Sequence, residues 1–214
     1  MKKIYSNIKI CTVLLLMLPL FAHAVTDTIA TRVLNNMAEK LRNAKGIQAA
    51  FTLNQKDKSG KTTGIQKGTA SIKGVKYYVK AGDYEVICNG QRIYHYDGGP
   101  EVLISDANKE SGDVFSPKNI ISGGFLKGFS GTVLSASAHE YVIQLMPNDK
   151  RSTIKSAVIT VDKKKNTLLK VVFSDKVGNA TELIIQSVNT EATIPDTRFE
   201  FDKAKHPGVQ EVQQ

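Results

Sequence analysis

The sequence predicts an α+β domain: one long antiparallel sheet, an N-terminal helix, and one helical insertion near the middle of the chain. Three observations carry that prediction. Asp27–Arg42 repeats apolar residues every three to four positions. From Ile47 onward the period switches to two, in short runs divided by turn residues. Only Ser116–Phe129 interrupts the alternation, with a helix-opening Ser-Pro and an apolar face. A period near 3.6 marks a helix with one buried face, and a period of two marks a strand with one buried face.

Residues 1–24 are expected to be a cleaved secretory signal. Lys2, Lys3 and Lys9 give it a positive start, and Ile10–Phe21 is an apolar core too short to span a bilayer comfortably. Ala22-His23-Ala24 forms an A-x-A cleavage site. Cys11 sits at the front of the apolar core, whereas a lipidated cysteine follows it, so residues 25–214 are expected to be soluble and unlipidated. That length supports one sizeable core, and no linker, repeat or low-complexity segment divides it. Loss of the three signal lysines takes the formal charge from +9 to +6. Cys88 is then the sole cysteine, which excludes an intramolecular disulfide even in an oxidising compartment. It reads as a small buried hydrophobe rather than a reactive thiol. Export and the even spread of lysines argue against nucleic acid. Anionic headgroups, an acidic partner surface or plain solvation account for the basic excess.

In chain order, Asp27–Arg42 places Ile29, Val33, Met37 and Leu41 on one stripe, widened by Ala30, Leu34 and Ala38. Thr26 or Asp27 can cap this helix, and Gly46 is expected to end it. Ile47–Gln55 then sets Ala49, Phe51 and Leu53 on one side of a strand, followed by a turn at Asp57–Gly60. Weaker strand runs occupy Ile65–Ile72 and Tyr77–Lys80 around Lys73-Gly74. Tyr84–Tyr96 reads as a hairpin about Asn89-Gly90, the dipeptide suited to a type I′ turn. A two-residue turn pairs Val86 with Ile93 and Cys88 with Gln91, with Tyr84 and His95 on the same face. A turn longer by one residue would instead bring Tyr94 and Tyr96 to that face. A strand at Glu101–Ser105 follows.

Ser116-Pro117 is a good helix start, and Ile120, Ile121, Phe125 and Leu126 form an apolar face. Gly123, Gly124 and Gly128 weaken the segment, each interior glycine by roughly 1 kcal/mol. It reads as one or two short, loosely held helical turns, serving either as a mobile lid or as a core helix with a glycine kink. Strands resume at Tyr141–Met146 (Tyr141, Ile143, Leu145), Lys155–Val161, Leu168–Phe173 (Leu169, Val171, Phe173) and Thr181–Val188. A last extended piece is expected at Thr197–Phe201, before a polar tail.

The residues make no case for catalysis. His95, His139 and His206 lack metal-ligand spacing. There is no G-x-S-x-G, phosphate-cradling loop or dinucleotide fingerprint. Asp162, Asp175 and Asp196 lie at turns, where local backbone hydrogen bonds account for them. No catalytic residue, metal or cofactor is expected. An apolar sheet face with two amphipathic helical segments admits two arrangements: a packed core, or a hydrophobic cavity that the helices partly close.

Several weak motifs, in order, resemble the periplasmic lipoprotein carriers of the LolA family across residues 25–214. They are Ala49-Ala50-Phe51-Thr52-Leu53-Asn54-Gln55 after the first helix, Asn89–Tyr96, Asp175–Thr181, and Phe199-Glu200-Phe201 followed by Pro207-Gly208-Val209. The resemblance implies a strongly curved antiparallel sheet forming an incomplete (half) β-barrel covered by a few helices. It implies a monomeric periplasmic carrier that takes acylated lipoproteins from an inner-membrane ABC lipoprotein-releasing transporter to an outer-membrane receptor or the outer membrane itself. The acyl-chain cavity is then expected to be walled by Phe51, Leu53, Tyr84, Val86, Cys88, Ile93, Ile143, Leu145 and Phe173. Ile120, Ile121, Phe125 and Leu126 are the expected lid. Lys73-Gly74-Val75-Lys76 stands where many members carry an Arg-Pro whose arginine helps hold that lid, and the family's common tryptophans are absent. An envelope-stress regulatory or general lipid-binding module on the same half-barrel is the alternative.

Overall fold

Asp27 caps α1 (Thr28–Arg42) with its side chain, and Asn43 closes the helix. The computed structural model describes residues 27–108, 119–120 and 123–214. The expected signal, the Ser116-Pro117 helix start and Ile121 lie outside them, and Phe125 is described by its backbone alone. Gly46 is not the helix terminator expected from sequence. It lies beyond the cap, where an added Cβ would stand 2.4 Å from the Ala192 carbonyl oxygen, so it serves a close chain crossing instead.

The alternating runs become β1 (Ile47–Lys56), β2 (Thr62–Lys73), β3 (Lys76–Ala81), β4 (Tyr84–Cys88), β5 (Arg92–Tyr96) and β6 (Glu101–Asp106). After the insertion come β7 (Phe129–Ala136), β8 (Glu140–Pro147), β9 (Ile154–Asp162), β10 (Leu168–Asp175), β11 (Ala180–Asn189) and β12 (Gln210–Gln213). All join one sheet in the order β12-β6-β5-β4-β3-β2-β1-β11-β10-β9-β8-β7. Neighbours are antiparallel except β12, which runs parallel to β6. The edges β7 and β12 do not meet, so the curved sheet is an unclosed half-barrel.

The hairpin at Asn89-Gly90 corrects one expectation. Cys88 pairs with Ile93 and Val86 with His95, so four residues rather than two separate the last paired positions. The Asn89 side-chain oxygen accepts from the Gln91 and Arg92 N–H groups at 3.0 and 2.9 Å, building an Asx turn that absorbs the two extra residues. Gly90 sits at φ 96°, which it alone adopts without strain. The register moves by two, so each side chain keeps its face.

Strands β7 and β12 were not foreseen. Within the stretch read as short helical turns, Gly124–Gly128 is a 3-10 turn, and β7 begins at Phe129. The extended piece expected at Thr197–Phe201 begins instead as a 3-10 turn over Asp196–Phe199, and the final strand comes later, at β12. β7 escapes notice because it is a polar-rich edge strand whose alternation breaks at a bulge between Val133 and Ser135.

The core is divided between the faces. On the inner face α1 lays Ala30, Val33, Leu34 and Met37 over Ile143, Leu145, Ala157, Ile159, Val161 and Val171 of β8–β10. On the outer face residues 192–201 run as a strap over β3–β5, packing Ile194, Phe199 and Phe201 against Tyr78, Ile87 and Tyr94.

Candidate functional site

The inner face between these zones carries an apolar groove. Its floor is built by alternation: Ile47, Ala49, Phe51 and Leu53 of β1 stand beside Ala70 and Ile72 of β2 and Val79 of β3. On the other flank β11 contributes Leu183, Ile185 and Val188. Those last two are an odd distance apart and would fall on opposite faces of a regular strand. The bulge at Ala50/Phe51, which skips Gln186, brings both inward. Leu41 at the end of α1 and Ile120 complete the lining, with Thr167 and Leu168 from the β9–β10 hairpin.

The groove has a volume of about 270 Å³. The lining holds no charged side chain, and Thr167 alone among these residues carries a side-chain polar atom. Gly68 makes room for the Phe51 ring: a Cβ there would sit 2.3 Å from Phe51 Cζ and 2.5 Å from the Lys80 carbonyl oxygen. Phe51 is therefore locked across β2, and its neighbours Ala49 and Ala70 leave the hollow.

The structure distributes the expected cavity residues among three places. Phe51 and Leu53 line the groove. Tyr84, Val86, Cys88 and Ile93 share the same inner face but lie further along it. Cys88 and Ile93 are buried with Tyr77 and Ala107, Val86 packs against them, and Tyr84 is 44% exposed. Ile143 and Leu145 are covered by α1, with Phe173 packed against that cluster. Of the expected lid, Ile120 borders the groove and Leu126 packs beside the α1 core. Gly123, at φ 71°, seats this segment against α1, where its added Cβ would be 3.2 Å from Ala38 Cβ. Ala70, Ile72, Val79 and Ile185 were not singled out from sequence, although strand alternation along Ile65–Ile72 is the signal that sets Ala70 and Ile72 on one face.

A second hollow, of about 890 Å³, lies on the outer face between the strap and β3–β4. Its character is electrostatic. The buried Glu85 carboxylate accepts from Lys80 Nζ at 2.6 Å and lies 3.7 Å from His206 Nε2. The hydrogen bond to Glu85 holds the Lys80 ammonium above its ordinary pKa. Burial, reinforced by the Glu85 charge, raises the Tyr78 phenol. The Arg198 guanidinium stacks 3.8 Å above the Tyr78 ring. Lys73 donates to Ile194 O at 3.2 Å and pairs with Asp196 at 3.1 Å, joined there by Lys76. Hydrogen bonds from these two lysines hold the Asp196 carboxyl below the ordinary carboxylate range. The lysines that stand in the Arg-Pro region thus secure the outer strap rather than an inner lid. Among the described residues no cluster of His, Cys, Asp or Glu could hold a metal ion, and no helix is long and apolar enough to cross a membrane.

Residues 42–202 match the family model of the outer membrane lipoprotein carrier protein LolA. The chain belongs to the LolA family. An uncharacterized conserved protein from Thermus thermophilus shares the fold, at 9% identity and a TM-score of 0.59, with 87% of this chain and 99% of that one covered. A LolA superfamily protein from Nitrosomonas europaea aligns at 12% identity and a TM-score of 0.42, covering 80% and 97% of the two chains. MucB of Pseudomonas aeruginosa, in its complex with MucA, aligns at 12% identity and a TM-score of 0.40, covering 81% of this chain and 61% of that one. The present LolA-family chain thus spans about three fifths of the MucB chain. No curated protein sequence matches it.

Proposed function

We propose that this protein is a periplasmic carrier that holds the acyl chains of lipoproteins in the inner-face groove, and that it acts as a binding protein rather than an enzyme. It would act as a monomer, receiving cargo from an inner-membrane ABC lipoprotein-releasing transporter and delivering it to an outer-membrane receptor or to the membrane itself. The observation that carries this reading is the uncharged groove over β1, β2 and β11, roofed by Leu41 and Ile120.

Energetics shape how such a carrier works. Burying a sixteen-carbon chain contributes roughly 12 kcal/mol at about 0.8 kcal/mol per methylene. Full burial of three would pass the practical ceiling near 20 kcal/mol, and cargo would not leave. The volume of about 270 Å³ lies just under the roughly 300–1,000 Å³ of ordinary small-molecule sites. Partial burial, with the Ile120 segment displaced as a chain enters, reconciles retention with release.

Native mass spectrometry of protein purified gently from its own envelope is the test. Bound lipoprotein or acyl lipid supports the carrier. A stoichiometric protein partner without lipid would replace it with a regulatory module on the same fold.

A further inference from the structure

Thr167 is the exception in the groove lining. It is only 4% exposed, and its Oγ1 has no hydrogen-bond partner among the described residues. A buried hydroxyl left unmatched is destabilising, whereas valine would fill the same shape without that cost. The backbone at this point is fixed by the β9–β10 hairpin. Thr167 O accepts from Asp162 N–H at 2.9 Å, and Asp162 Oδ1 accepts from the Lys164 and Lys165 N–H groups. The side chain keeps one freedom, rotation about χ1, which exchanges hydroxyl and methyl between staggered wells.

What would match the hydroxyl follows from its surroundings. The other residues that line the groove offer no acceptor side chain and no cation. A buried carboxylate would therefore go unpaired, at a large cost, while a neutral carbonyl oxygen would not. We infer that Thr167 donates its hydroxyl to the ester or amide carbonyl that joins an acyl chain to its carrier, so that the groove reads the linkage as well as the chain. This inference rests on the acyl-carrier reading of the same groove.

The test is displacement of the neutral fluorophore N-phenyl-1-naphthylamine by methyl myristate, N-methylmyristamide, myristate and tetradecane, with wild type, Thr167→Val and Thr167→Ser. Thr167→Val is expected to weaken the ester or the amide about three- to tenfold and leave tetradecane unchanged. The arm that weakens identifies the linkage. Thr167→Ser is expected to restore that affinity. Thr167→Val should melt no lower than wild type, which separates lost recognition from lost folding. Equal loss for tetradecane and ester, no loss for either linkage, or tightest binding by free myristate would each overturn the inference while leaving the acyl groove standing. Failure of all four ligands to displace the probe from wild type would overturn the groove reading itself, and this inference with it.

Discussion

Val133 donates its backbone N–H to Asp27 Oδ2 at 3.2 Å, which latches the start of α1 to the edge strand β7. The other oxygen, Oδ1, accepts from Ile29 N–H at 2.7 Å and Ala30 N–H at 3.4 Å, capping the helix. Asp27 N–H in turn donates to Gly131 O at 2.9 Å. Backbone donors from Ile29 and Val133 lower the carboxyl below its ordinary 3.8. Asp27→Ala is expected to reduce Tm by about 2–4 °C at neutral pH. The folded-state pKa is depressed, so this stabilisation is complete above the unfolded value and fades as pH falls through the lower folded one. Thermal melts should show wild type and variant converging below pH 3.8.

Gly68→Ala tests the Phe51 wall. The new methyl would overlap both the ring and the Lys80 carbonyl, so the ring alone cannot relieve it. The expected cost is about 1–3 kcal/mol, with a lowered urea midpoint and weaker acyl-probe binding as Phe51 is pushed into the groove. An unchanged midpoint would show that β2 shifts freely.

Glu85 and Asp196 contrast a buried carboxylate with an exposed one in the same strap system. Glu85→Ala removes a 2.6 Å charge-assisted bond from a side chain that is 6% exposed, and should cost about 2 kcal/mol in urea unfolding. Asp196 is 63% exposed although it pairs with two lysines. Its replacement by asparagine should leave the midpoint nearly unchanged, because water and salt screen such pairs. A larger effect at Asp196 than at Glu85 would contradict this ranking.

Ala70→Phe should occlude the groove from its floor, and Ile120→Asp should place a charge at its roof. Both are expected to lower binding of a triacylated peptide at least about tenfold, since one lost or charged apolar contact of this size exceeds about 1.4 kcal/mol. Calorimetric titration of folded variants, verified by circular dichroism, is the measurement. Undiminished binding by both would remove the groove as the acyl site.

How legible the site was depended on residue and context. Phe51 and Leu53 were visible because regular alternation fixes a face. Ile143 and Leu145 show the same alternation yet lie under α1. Pattern identifies which face a side chain occupies, and tertiary packing decides which stretch of that face is covered. Ile185 and Val188 were hidden by a bulge, which breaks the parity that sequence reading relies on. Thr167 belongs to a hairpin end, where a polar residue ordinarily meets solvent. The Asn89-Gly90 hairpin kept its faces although its register moved, because the error was an even number of residues.

The position of β1 between β2 and β11 has a kinetic meaning. Most of the sheet is a ladder of local hairpins on either side, but the β1–β11 pairing is remote in sequence, and its Asn54–Glu182 contact spans 128 residues. Non-local pairing is slow because chain entropy must be lost before its contacts form. The two ladders are expected to assemble first, with this join closing last. Since β1 and β11 lie side by side in the groove lining, a newly made chain would have no such groove until this long-range step of folding is complete.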